Sequence, residues 1–96
     1  MDLKEYYAYY LTLHKNKHCR ALHFTGQCVT MLFVATVIYH KFWLMLLLSP
    51  FVIYPFAWSG HFLFEKNNPA AWSDPIKAKI CDWIMFRDIL VGKIKL

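Results

Sequence analysis

The residues with the clearest potential for chemistry in this chain are three histidines and the carboxylates near them. His61 and Glu65 are four residues apart in "GHFLFEKNNP", so a helix would place them on one face. His14 and His23 lie closer to the N-terminus. Imidazoles with a carboxylate suit Fe(II), Zn(II), Mn(II) or Cu(II), and two histidines with one carboxylate are a known non-haem iron pattern. The residue types therefore predict a metal site and favour iron, although the spacing alone also fits histidines that satisfy buried backbone groups.

The elements that must position these side chains have the composition of membrane spans. Of the 96 residues, 58% are apolar and 19% are aromatic, against roughly 45–50% apolar residues in a typical soluble chain. Two segments, at about 21–39 and 42–60, contain no Lys, Arg, Asp or Glu, and each has the length of about 20 residues that a membrane-spanning helix needs. Only His40 and Lys41 separate them, so we predict a helical hairpin. A buried pair of helices in a soluble protein is the alternative.

Shorter helices are predicted on both sides of the hairpin. The N-terminal helix should cover about residues 3–14, and the last one about residues 75–90, with Ile76 and Ile80 on its apolar side. The predicted fold is therefore all-α: a small integral-membrane helical bundle with a two-span hairpin and amphipathic helices at the N- and C-terminal ends. We expect a single domain over residues 1–96.

The distribution of cations predicts how the hairpin is oriented. The turn offers only Lys41, whereas the outer flanks of the spans carry Lys15, Lys17, Arg20, Lys66, Lys77, Lys79, Arg87, Lys93 and Lys95. The positive-inside rule then places both termini on the cytoplasmic side, in a bacterial inner membrane or the endoplasmic reticulum. The net charge of +5 fits contact with an anionic leaflet. The sequence has no nucleic-acid-binding motif, so we expect no nucleic-acid partner.

A hairpin would bring the three histidines to one depth, because the second span returns to the side from which the first one starts. Asp82 would approach from the last helix. Aromatic residues that could line a pocket there are Tyr10, Tyr54 and Trp58. The three cysteines show no C-x-x-C spacing, so we expect neither a disulfide framework nor a zinc ribbon.

Two long stretches resemble the motifs of a known family. "YLTLHKNKHCRALHFTG" (residues 10–26) resembles Y-x-x-x-H-x-N-x-x-[N/C]-R-x-x-H-x-x-G, and "YPFAWSGHFLFEKNNPAAW" (54–72) resembles Y-x-x-A-W-x-G-H-F-x-x-E-x-N-x-P-A. "CDWIM" (81–85) resembles a later D-x-x-M. The chain is similar to the short forms of the small membrane proteins related to the 2-hydroxy fatty acid dioxygenase of the endoplasmic reticulum, long known as a domain of unknown function.

This resemblance implies an Fe(II)-dependent dioxygenase that uses O₂ to shorten 2-hydroxy fatty acids by one carbon, an α-oxidation of lipid-derived acids. The positions that match the family's histidines, and would bind the metal, are His14, His23 and His61. We expect catalytic roles for Glu65, Asn67 and Asp82, and substrate contacts from Tyr10, Asn16, Arg20, Tyr54 and Trp58. The alternative is a non-enzymatic membrane scaffold or complex subunit whose polar cluster is structural. Assembly into a homo-oligomer stays open under both hypotheses.

Overall fold

The computed structural model describes residues 2–95, and it confirms an all-helical fold with no strand among them. The main helices are α1 (Leu3–Thr12), α2 (Lys17–Tyr39), α3 (Tyr54–Gly60) and α4 (Pro75–Leu90). Trp43–Phe51 and Ala70–Trp72 are 3₁₀-helical, and His61–Glu65 is a π-helical turn. The helices α1, α2 and α4 each begin after a residue whose side chain caps the helix N-terminus: Asp2, Asn16 and Asp74.

Two helical stretches are long and apolar enough to cross a membrane, as predicted. They are Lys17–Tyr39 and Trp43–Glu65, 23 residues each. The first begins four residues before the predicted span, and the second continues five residues beyond it. Their outer faces expose large apolar side chains, among them Leu32, Leu44 and Leu47. A continuous apolar surface of this kind is typical of contact with lipid.

Proline interrupts the second stretch. Pro50 lies within the 3₁₀ segment and Pro55 in the first turn of α3, because proline lacks the backbone N–H that a regular α-helix would use. The carbonyl oxygen of Pro50 accepts a hydrogen bond from Lys79 Nζ at 2.6 Å. The interruption therefore attaches α4 to the hairpin.

The two spans pack closely at Gly26 of α2. A Cβ atom at this position would lie 2.9 Å from Cβ of Phe56, which is closer than side chains pack. The buried polar residues of α2 lie on the same side of the helix: His23, Gln27 and Thr30. Absence of a side chain at Gly26 thus lets α3 approach the polar face of α2.

The helices α1 and α4 form a second, smaller core. Tyr6 and Tyr10 pack against Ala78, Cys81 and Met85. The predicted apolar side of α4 is not the face that packs against α1, because Ile76 and Ile80 are exposed. Ala78, Cys81 and Met85 of α4 face inward instead, against the two tyrosine rings.

Candidate metal centre

Four buried side chains meet where α1, α2 and α3 converge. They are His14, Cys19, His23 and His61, and their potential ligand atoms all lie within 4.8 Å of one another. His14 follows the end of α1, Cys19 and His23 are one turn apart on α2, and His61 begins the π-helical turn. The hairpin therefore brings the three predicted histidines together.

Hydrogen bonds fix which nitrogen of each ring is free. Nδ1 of His14 lies 2.7 Å from the carbonyl oxygen of Tyr10, and Nδ1 of His23 lies 2.9 Å from that of Cys19. A carbonyl oxygen only accepts, so both Nδ1 atoms carry the proton and both Nε2 atoms have a lone pair. Such bonds to the remote nitrogen are typical of metal-binding histidines.

Asn67 orients the third ring. Its Oδ1 accepts from Nδ1 of His61 at 2.7 Å, while its Nδ2 donates to the carbonyl oxygen of Leu13 at 3.2 Å. The bond to Leu13 fixes the orientation of the amide, because only the NH₂ group can donate to a carbonyl. His61 therefore also keeps a free Nε2.

The free nitrogens of His14 and His23 face each other without a proton between them. Their Nε2 atoms are 3.2 Å apart, and in the tautomers above both are acceptors. Two imidazole nitrogens that bind one metal ion at about 2.1 Å lie roughly 3.0 Å apart in octahedral and roughly 3.4 Å apart in tetrahedral geometry. The donor set thus fits a divalent metal ion.

Burial keeps His14 neutral. Loss of hydration, followed by the neighbouring His23, lowers the pKa of His14 from 6.5 to about 2. The ring of Tyr10 stacks on it with centroids 4.0 Å apart. A neutral imidazole is the form that binds a metal.

The presence of a thiol in the cluster was missed by the sequence analysis. Cys19 is fully buried, and its Sγ lies 3.7 Å from Nδ1 of His23. Its spacing of four residues from His23 was the available signal, but the predicted span began at residue 21, whereas α2 begins at Lys17. The absence of C-x-x-C spacing excludes a zinc ribbon, but it does not exclude a single thiol among histidines.

The predicted carboxylates occupy different places. Both oxygens of Glu65 accept the backbone N–H of Asn16, at 2.9 and 3.2 Å, so Glu65 joins the π-helical turn to the start of α2. Asp82 is buried, and its Oδ2 accepts from Nε2 of Gln27 at 2.9 Å. Burial raises the pKa of Asp82 to about 7.

A cavity of about 30 Å³ lies beside the histidines. Tyr10, Tyr54, Trp58 and Asp82 line it, as does Lys79, which was not among the predicted site residues. Two buried polar atoms, Nε1 of Trp58 and Oδ1 of Asp82, have no hydrogen-bond partner among the described residues. Unpaired buried groups are costly, so the cavity offers both a donor and an acceptor to a polar ligand.

Two predicted substrate residues lie away from this cavity wall. The Asn16 side chain caps α2 through the N–H of His18. The guanidinium of Arg20 donates to the carbonyl oxygens of His14, Lys15 and Lys95, at 3.0, 2.7 and 3.0 Å. In this structure both residues hold the α1–α2 connection around the cluster.

Comparison with known proteins adds one match. No curated protein and no solved structure showed significant similarity to the chain. A family model described as "2-hydroxy-palmitic acid dioxygenase Mpo1-like" matches residues 1–94. This match spans α1 to α4 and all four members of the histidine–cysteine cluster. The chain therefore belongs to the Mpo1-like family.

Proposed function

We propose that the protein is an Fe(II)-dependent dioxygenase that shortens 2-hydroxy fatty acids by one carbon at a membrane surface. The family's description supports the substrate class. The main observation in favour of a bound metal is that the unprotonated Nε2 atoms of His14 and His23 lie 3.2 Å apart, next to His61. Histidine-rich sites with open positions are typical of non-haem iron oxygenases.

The reaction balances with O₂ as the oxidant. The C1–C2 bond of the 2-hydroxy acid breaks, one O₂ accepts four electrons, and the products are the acid one carbon shorter, CO₂ and water. A ferrous ion held by His14, His23 and His61 would supply the Lewis acidity and redox chemistry that this oxidation needs. Cys19 is a fourth potential donor.

The residues around the cavity then have separate tasks. Asp82 Oδ1 is free to accept a hydrogen bond from the 2-hydroxyl group, and Trp58 Nε1 is free to donate one to the carboxylate. The stacked ring of Tyr10 shields His14 from water. A cavity of about 30 Å³ is too small for an acyl chain, so the chain must extend into the surrounding lipid.

The membrane placement follows from the same hypothesis. We propose that both long helical stretches span a bilayer and that both termini are cytoplasmic, in a bacterial inner membrane or the endoplasmic reticulum. The polar head of a membrane-derived acid would then meet the histidines at the depth where α3 ends.

A structural metal site is the competing function, and Cys19 is the observation that favours it. Three histidines and one thiolate complete a tetrahedral zinc site without an open position. Such a site would hold α1, α2 and α3 together in a scaffold or complex subunit.

Metal analysis and oxygen uptake separate the two functions. Protein purified in detergent without oxygen and loaded with Fe(II) should bind about one iron per chain and consume O₂ with a 2-hydroxy acid. His61→Ala should abolish iron binding and turnover, while His18→Ala, at an exposed position that stacks on Phe64, should leave both unchanged. Stoichiometric zinc with no oxygen uptake by iron-loaded protein would establish the structural site instead.

A further inference from the structure

Lys79 is a cation on the cavity wall that forms no direct ion pair with a described residue. It is half-buried and lines the same cavity as the three histidines. Its Nζ donates to the carbonyl oxygen of Pro50 at 2.6 Å and lies 4.9 Å from the ring centroid of Tyr54. No carboxylate of the described residues lies within 4.0 Å of Nζ.

The contacts of Lys79 hold the ammonium group in place without compensating its charge. A carbonyl oxygen and an aromatic face are neutral partners, so they position a cation without adding a negative charge beside it. Asp82 of α4 also lines the cavity and interacts electrostatically with Lys79, but the two form no direct ion pair. A partly desolvated cation without a counter-ion favours binding of an anion.

We propose that Lys79 binds the carboxylate of the fatty acid and so selects acids over neutral lipids. The assignment rests on the proposed function for the identity of the lipid, and it extends that function by naming the group that recognises the head. Trp58 Nε1, unpaired on the same cavity, supplies a second donor to the carboxylate. This arrangement takes the place of the substrate contact expected for Arg20, whose guanidinium is already bound to three carbonyl oxygens.

The test compares binding of a 2-hydroxy fatty acid with binding of its methyl ester, measured on the anaerobic Fe(II)-loaded protein and on the metal-free protein in detergent. The ester keeps the chain and the hydroxyl group and lacks the charge. Wild-type protein should bind the acid roughly 10- to 100-fold more tightly than the ester, as a hydrogen bond to a charged group implies. Equal affinity of the wild-type protein for the acid and the ester would by itself overturn the proposal.

Variants separate the charge of Lys79 from its bond to Pro50. Lys79→Gln keeps a donor for the Pro50 carbonyl and should lose most of the preference for the acid, whereas Lys79→Arg should retain it. Lys77→Gln is the matched control, because Lys77 lies on the same helix, 5.8 Å from the ring of Tyr6, and does not line the cavity. An unchanged preference in Lys79→Gln, or an equal loss in Lys77→Gln, contradicts the assignment.

Binding and turnover distinguish failure of this proposal from failure of the dioxygenase function. Under both proposals, Lys79→Gln should raise the KM for the acid by the same roughly 10- to 100-fold factor with a small change in kcat. Acid selectivity without any oxygen uptake would leave Lys79 as an anion-binding residue and reject the dioxygenase. Oxygen uptake with equal turnover of the acid and the ester would reject the role of Lys79 but not the dioxygenase function. Vesicles of anionic phospholipid, as competitors, test whether a phosphate head group binds there instead, which would contradict the carboxylate assignment.

Discussion

Asn67→Ala should weaken metal binding although Asn67 is not a metal ligand. The substitution removes the 2.7 Å hydrogen bond that orients His61 and the 3.2 Å bond to the carbonyl of Leu13. Loss of such an orienting partner typically lowers metal affinity by about 10- to 100-fold, which corresponds to roughly 1.4–2.8 kcal/mol. The free energy of unfolding should also fall by about 1–3 kcal/mol, because two partly buried hydrogen bonds are lost.

Two further variants separate orientation of the ring from damage to the fold. Asn67→Asp keeps an acceptor for His61 Nδ1 and loses only the donor to Leu13, so it should retain most of the metal affinity. Asn68→Ala changes the neighbouring exposed asparagine and should alter neither quantity. Metal affinity is measured by competition with a chelator, and stability by denaturant unfolding of the metal-free protein. The reasoning is refuted if Asn67→Ala binds metal like the wild type, or if Asn67→Asp loses as much affinity as Asn67→Ala.

Two other substitutions test the electrostatics of the cavity and the packing of the spans. Burial raises the pKa of Asp82 to about 7, so between about pH 4 and 7 the folded protein binds a proton that the unfolded chain has released, and stability from this group falls as pH rises. In Asp82→Asn the free energy of unfolding of the metal-free protein should therefore rise with pH more steeply than in the wild type. The difference in slope is at most about 1.4 kcal/mol per pH unit. Parallel pH curves for the two proteins would contradict a raised pKa of Asp82. Gly26→Ala should lower the unfolding midpoint, since its Cβ would lie 2.9 Å from that of Phe56; a higher midpoint would mean that the gain in helix propensity of about 1 kcal/mol outweighs the clash.

The helices and the meeting of the histidines could be predicted because both follow from local patterns. Apolar segments of sufficient length predict the spans, and a short turn between them requires an antiparallel hairpin. Any hairpin of these lengths returns His61 to the depth of His14 and His23. Their convergence is therefore a consequence of topology, which the sequence encodes through span length alone.

The sequence could not predict that Asn67 contacts His61 while Glu65 contacts the start of α2, because both contacts depend on a change in helix type. An α-helical repeat puts Glu65 on the face of His61, but residues His61–Glu65 form a wider π-helical turn. Lys66 then adopts a left-handed conformation with φ of 56°, which reverses the chain. Asn67 therefore returns to the imidazole of His61, and Glu65 turns toward the N-terminus of α2.

The position of Lys79 depends on a similar interruption, at Pro50 in the same helical stretch. Sequence patterning assigns a lysine on an amphipathic helix to the lipid head groups. In the structure the carbonyl oxygen of Pro50 is available at the point where the 3₁₀ segment ends, and it draws the ammonium group toward the cavity. The contact joins residues 29 positions apart, so no pattern within the local sequence around Pro50 or around Lys79 predicts it.

Under the proposed function, the small size of the cavity determines where selectivity for a lipid arises. About 30 Å³ is enough for roughly one or two water molecules, so it has room for part of a polar head and none for an acyl chain. The cavity wall provides a donor at Trp58, an acceptor at Asp82 and a cation at Lys79, while the outer faces of the spans are apolar and unspecific. Because only the head contacts residues of defined polarity, differences in the head should change affinity strongly and differences in chain length should change it little.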